Sequence, residues 1–180
     1  MSTAPANWLI SAEPDPPTVT PDWEAVGPSI EGVAIREVRH VVTDDGVLTE
    51  VFRADWGLPG AGVQQVFCRV LDPRAVTAWH CHAVTTDRLF CIAGRVLIVL
   101  YDGRADSSSA RTVMQLRTGT ERPALVAIPP GVWHGVMNLS HTSPAVFLNA
   151  VDHAYAYEAP DHWRIPAGSP DIPFDFGQVR

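Results

Sequence analysis

The chain predicts an all-β protein, a single antiparallel barrel preceded by an extended N-terminal arm. Three observations carry this. Short apolar runs rich in Val, Ile, Phe and Thr alternate with turn residues along most of the chain. No segment of helical length shows a 3.6-residue apolar stripe. The length of 180 residues suits one domain and allows a sizeable core.

Taken in order, residues 1–28 carry Pro5, Pro14, Pro16, Pro17, Pro21 and Pro28 together with Trp8 and Trp23. Repeated proline removes backbone donors and blocks central-strand pairing, so this segment predicts an arm that docks on its own barrel or on a second subunit. The barrel is assigned to residues 29–158. Its strands are predicted at 33–42, 47–53, 63–70, 76–82, 89–92, 96–101, 112–116, 124–128, 135–139 and 145–150. Asp44-Asp45-Gly46, Ala93-Gly94-Arg95 and Asp102-Gly103-Arg104 read as tight turns between them. The Pro-rich tail, 159–180, is expected to pack on the barrel as a turn or short helix before a loose end.

Composition narrows the function classes. The formal net charge is -7 and no basic cluster occurs, which disfavours nucleic acid and membrane surfaces as partners. All thirteen cationic side chains are Arg, so lysine Schiff-base chemistry is excluded. Cys68, Cys81 and Cys91 show no CxxC spacing, and no stretch reaches about 18 apolar residues. These features predict a cytoplasmic protein with reduced thiols that acts on a small molecule.

The sharpest local signal is His80-Cys81-His82, with Asp87 five residues after His82 and Gly94 beyond it. On a strand, His80 and His82 share a face while Trp79 and Cys81 take the other. Asp87 opens the next strand and can direct its carboxylate to the same point. Pro129-Pro130-Gly131-Val132-Trp133-His134, ending in Asn138, makes a sharp turn that delivers a third imidazole. Three neutral nitrogens and one carboxylate suit Mn, Fe, Ni or Zn, with positions left open for substrate. His40, His141, His153 and His162 have no such company and are taken as ordinary polar residues.

These two segments resemble the boxes of metal-binding cupins, HxH-x4-E-x6-G and PxG-x2-H-x3-N, with Asp87 in place of the Glu. The resemblance implies a double-stranded β-helix, or jelly-roll, with a divalent metal on His80, His82, Asp87 and His134.

Across about residues 30–176 the chain also resembles the dTDP-4-dehydrorhamnose 3,5-epimerase family of sugar-nucleotide cupins. The stretch 44–53, Thr77-Ala78-Trp79-His80, the segment 128–136, the serine-rich stretch 102–110 and Ser169-Pro170-Asp171-Ile172 carry that likeness. It implies that His80 is the base that removes the proton beside a keto group, and that the protein is a homodimer exchanging N-terminal strands. Ser169 stands where the family pairs its base with a carboxylate, and Asn149 where it has a tyrosine acid. Asp45 and Thr77 stand at its diphosphate arginines, and Asp87 at its strand lysine.

The main expectation from these readings is a metal-dependent enzyme, its ion acting as a Lewis acid on a small carbonyl substrate in an isomerase, epimerase or lyase reaction. His80 would be a base only with no metal bound, because one imidazole cannot be free base and ligand at once. Tyr101 and Arg88 are candidate catalytic groups, and Arg104, Asn149 and Tyr155 candidate substrate contacts. Cys91 and Tyr157 are further candidate pocket groups. The alternatives are a metal-independent keto-sugar nucleotide epimerase with a rebuilt acid–base pair, an Fe(II) dioxygenase, and a noncatalytic cupin that binds metal or ligand.

Overall fold

Apolar side chains on alternate positions of extended chain must be buried on one face or both, and here two sheets close on each other to do so. A computed structural model describes residues 12–22 and 25–179. Its strands are β1 (Ala34–Glu37), β2 (Val41–Thr43), β3 (Gly46–Leu48), β4 (Gln65–Leu71), β5 (Val76–Cys81), β6 (Asp87–Ala93), β7 (Arg95–Asp102), β8 (Val113–Gly119), β9 (Ala124–Ile128), β10 (Val132–Asn138), β11 (Ala145–Val151) and β12 (Trp163–Arg164). One five-stranded sheet runs β1-β9-β6-β11-β4 and the other β12-β5-β10-β7-β8, while β2 and β3 form a separate hairpin. All pairings are antiparallel. Among the described residues no helix is long and apolar enough to cross a membrane.

The rows facing inward fill the space between the sheets. Leu89 and Cys91 of β6, Val96, Ile98 and Leu100 of β7, Val126 and Ile128 of β9, Val136 of β10 and Phe147 of β11 form one buried cluster. Toward one end the same rows turn polar: Asp87 continues the β6 row, His134 the β10 row and Asn149 the β11 row. That polar end is the site.

A second cluster lies on the outer face of the β7–β10 sheet. Trp79, Leu97, Val99 and Met137 are covered there by Ile172 and Phe176 of the tail. This explains why 96–100 reads as an unbroken apolar run, since both of its faces are buried. Gly135 has no side chain where the tail crosses it; a Cβ there would meet Phe176 Cζ at 2.8 Å.

The structure corrects several boundaries. The predicted strand at 33–42 ends at Glu37, and the chain then turns through Asp44-Asp45 into the β2–β3 hairpin. Thr43 Oγ1 donates to Asp45 Oδ1 at 2.7 Å and secures that turn. Residues 54–56 form a 3₁₀ turn. The tail, expected as a turn or short helix, does hold a 3₁₀ turn at Phe176–Gln178, and before it β12 adds a short strand to the edge of β5. Of the arm, Trp8 and Trp23 lie outside the described residues; Val26 N–H donates to the Thr18 carbonyl at 2.9 Å.

Candidate active site

The polar end of the barrel opens into a cavity of about 310 Å³. His80, His82, His134 and Asp87 line it, with Thr77, Arg69, Asn149, Tyr155 and His162 around them and Phe67, Leu89, Val136 and Phe147 as its apolar floor. β5 and β10 pair with His134 opposite His80, which sets their rings 5.9 Å apart and nearly parallel. His82 lies just past the end of β5, its ring 5.5 Å from that of His134. Gly131, at φ +81°, makes the turn that starts β10 and so delivers His134.

Three donor atoms converge. His82, Asp87 and His134 each place one ligand-type atom within 4.8 Å of the other two. Asp87 Oδ2 lies 2.9 Å from His134 Nε2 and 3.2 Å from His82 Nε2. Burial resists the charge on Asp87, but hydrogen bonds from His134 and His82 outweigh it and hold the carboxyl far below its usual range. Burial likewise opposes charge on His82, and the Asp87 carboxylate and Asp161 carbonyl overcome it to raise that imidazole's pKa. Asn149 Nδ2 donates to the other Asp87 oxygen at 2.8 Å.

His80 stands apart from this trio, against the expectation of a fourth ligand. Its Nε2 is 2.7 Å from Thr77 Oγ1 and its Nδ1 is 2.6 Å from His162 Nε2, so both ring nitrogens are engaged elsewhere. Burial and then the neighbouring His134 charge push its pKa down to about 3, leaving a neutral imidazole at physiological pH. The sequence reading also missed His162. It sits in a Pro-rich tail with no motif around it, and long-range contacts, the β12–β5 pairing and the Asp161 bonds to residues 83–85, bring it to the cavity. Arg69, on the cavity-facing row of β4, was missed for the same want of a local signature.

Three candidates fall elsewhere. Arg88 alternates with Asp87 and therefore points out of the barrel, where its guanidinium donates to the carbonyls of Pro59 and Ala61 at 2.7 and 2.8 Å. Tyr101 alternates with Leu100 and packs against the Trp79 cluster under the tail. Arg104 is tied to Asp102 by Nε at 2.8 Å and to the Glu31 carbonyl at 2.6 Å; Ser107 and Ser109 complete the knot on Asp102. Cys91 belongs to the core, its thiol pushed up to about 11 by burial, and Tyr157 is 86% exposed. Asn149 and Tyr155 do line the cavity.

A sequence model described as dTDP-4-dehydrorhamnose 3,5-epimerase matches residues 28–178. The chain belongs to that family. Among curated epimerase relatives, the probable low-salt glycan biosynthesis epimerase Agl13 of Haloferax volcanii is 31% identical over 140 residues, covering 77% of this chain and 89% of that protein. The spore coat polysaccharide biosynthesis protein SpsL of Bacillus subtilis is 30% identical over 147 residues, covering 82% and 96%. The crystal structure of a dTDP sugar isomerase from Desulfovibrio desulfuricans G20 superposes with a TM-score of 0.77 at 27% identity, over 84% of this chain and 94% of that one. The 3'-monoepimerase ChmJ of Streptomyces bikiniensis, solved with dTDP-quinovose, shares the fold at a TM-score of 0.72 and 22% identity, over 82% and 76%. As an epimerase-family member the chain is an isomerase-type enzyme of the jelly-roll class, and the comparisons favour epimerase chemistry over the metal-dependent reaction expected first from its histidine spacing.

Proposed function

We propose that this protein epimerises a nucleotide-linked keto sugar by proton transfer at carbon, without a metal, and that His80 is the base. The observation that carries this is the placement of the His80 ring, fixed between Thr77 and His162 on the wall of a cavity of about 310 Å³. In the reaction a His80 nitrogen takes the proton from the carbon beside the keto group. The C–H electron pair becomes the enolate double bond, and a proton returned to the opposite face inverts the centre. Tyr155 is a phenol on the cavity wall and takes the role of donor to the substrate oxygen in place of the tyrosine that Asn149 has replaced. Arg69 is the single Lys or Arg among the described lining residues and is the anchor for a phosphate. Incubation with dTDP-4-keto sugars in deuterated water tests the proposal. Deuterium wash-in that disappears in His80→Gln is expected, and absence of any exchange in the wild type removes the reading.

A metal-assisted reaction is a second reading, favoured by one feature of the trio. His82 donates Nδ1–H to the Asp161 carbonyl and His134 directs Nδ1 to the Val132 carbonyl, so both leave Nε2 toward Asp87 as ligating imidazoles do. His82, Asp87 and His134 would hold Mn, Fe, Ni or Zn, and such an ion supplies Lewis acidity toward a carbonyl oxygen. Elemental analysis of protein purified without chelator decides. One equivalent, lost in His82→Ala and His134→Ala, supports the metal; none in any preparation dismisses it.

A homodimer in the cytoplasm completes the proposal. Val42 and Val47 of the hairpin are 80% and 62% exposed, and Val66 and Val70 leave the outer edge of β4 apolar. A second copy covering these surfaces would bury them. Light scattering reads the mass directly, and a monomer at micromolar concentration would refute it.

A further inference from the structure

The dipeptide Asp161-His162, half-buried at its first residue and exposed at its second, is tied to the cavity wall at several points. The Asp161 carboxylate accepts the backbone N–H groups of Ala83, Val84 and Thr85 at 2.7, 3.0 and 2.9 Å, and Thr85 Oγ1 at 2.8 Å. Its carbonyl accepts His82 Nδ1–H. One residue on, β12 pairs with β5 so that Arg164 faces His80. Between these two anchors His162 has little freedom, and its Nε2 rests 2.6 Å from His80 Nδ1 with the rings nearly perpendicular, centroids 4.8 Å apart. Ser169, at the position of the family's carboxylate partner, bonds instead to Asp171 at 2.8 Å and does not line the cavity.

A neutral imidazole presents one donor and one acceptor nitrogen. If Nδ1 of His80 carries its proton, His162 Nε2 accepts that N–H. His80 Nε2, on the cavity wall, is then the acceptor nitrogen, accepting the Thr77 hydroxyl at 2.7 Å until that hydroxyl rotates aside for a substrate. We propose, on the reading of His80 as the base, that His162 is its positioning residue, and that Asp161 is the latch that places it. An imidazole partner fixes ring plane and tautomer while adding no second anion next to Asp87.

The test uses the full chain with His162→Ala, His162→Gln and Asp161→Asn, read by deuterium wash-in kinetics and by the nitrogen-15 spectrum of the histidine rings. His162→Ala lowers kcat by about 10- to 100-fold, as expected for a misplaced catalytic group, with KM moving less than about threefold. His162→Gln, whose amide oxygen can still accept from Nδ1–H, recovers a substantial part of that loss. Asp161→Asn falls between the two, and the His80 Nδ1–H resonance shifts in His162→Ala. An unchanged kcat in His162→Ala, or equal losses in the Ala and Gln variants, overturns the proposal. If the wild type exchanges no deuterium with any keto-sugar nucleotide, the base reading alone fails. The His80–His162 bond is then judged by the ring spectrum, where an unaltered resonance in His162→Ala overturns it and a shifted one upholds the contact.

Discussion

Asn149 and Asp87 meet across the β6–β11 ladder, the amide of one donating to the carboxylate of the other at 2.8 Å while its carbonyl oxygen accepts the Arg88 backbone N–H at 3.0 Å. Both residues are buried. Asn149 is thus part of the support for a buried anion. A substitution there is felt by the whole His82–Asp87–His134 group.

Asn149→Leu leaves one Asp87 oxygen and one buried backbone N–H unpaired. It is expected to cost about 1–3 kcal/mol of stability, since a buried polar group deprived of its partner keeps its full desolvation penalty. Urea unfolding measures this; a change below about 0.5 kcal/mol would show that water replaces the amide without loss.

Arg69→Gln removes the guanidinium from the cavity wall while keeping much of the side chain. With a nucleotide-linked substrate, KM should rise about 3- to 10-fold at nearly constant kcat, because a phosphate contact remote from the reacting carbon stabilises ground and transition states alike. Steady-state kinetics at two salt concentrations check it. A fall in kcat without a rise in KM would place Arg69 at the chemistry instead.

Phe176→Ala opens the tail from the outer face of the barrel. Phe176 packs on Trp79 at a centroid distance of 5.2 Å and on Phe174 at 4.9 Å. Truncating such a buried aromatic costs about 3–5 kcal/mol. Because Trp79 precedes His80 on β5, the loss should also loosen amide protection along 76–81. Hydrogen exchange that stays unchanged there would separate the tail from the site.

Asp102 supplies a pH dependence with a definite sign. Hydrogen bonds from Arg104, Ser107 and Ser109 prevail over burial and hold its carboxyl below the ordinary range. Its folded form therefore ionises at lower pH than the unfolded chain, where Asp titrates near about 3.9. The stabilisation is complete above that value and is lost as pH falls through the folded one. Asp102→Asn should lower the melting temperature at pH 7 and flatten its decline in acid. A parallel decline in both proteins would assign acid sensitivity to other carboxylates.

Much of the barrel could be read from local pattern. The strand 124–128 was predicted to the residue, and those around Leu89, Val96 and Ala145 to within a few positions at either end, because apolar runs between Gly and Pro turns report extended backbone directly. Period-two alternation and a PxG turn also placed His80, His82, Asp87 and His134 at one point; the donor atoms of the last three do come together, while His80 engages Thr77 and His162 instead. The same alternation sends Arg88 and Tyr101 away from that point.

By itself, then, the sequence determined an all-β chain, the place of most of its turns, and a polar group of His80, His82, Asp87 and His134, of which the last three bring their donor atoms together at the barrel's polar end. Only the tertiary structure decided that His80 turns its nitrogens to Thr77 and His162, and that the tail returns to complete the cavity wall. The physical reason is range. Strand alternation acts between near neighbours, whereas the His80–His162 contact joins residues 82 positions apart through a two-residue strand and one latching carboxylate, neither of which leaves a local pattern.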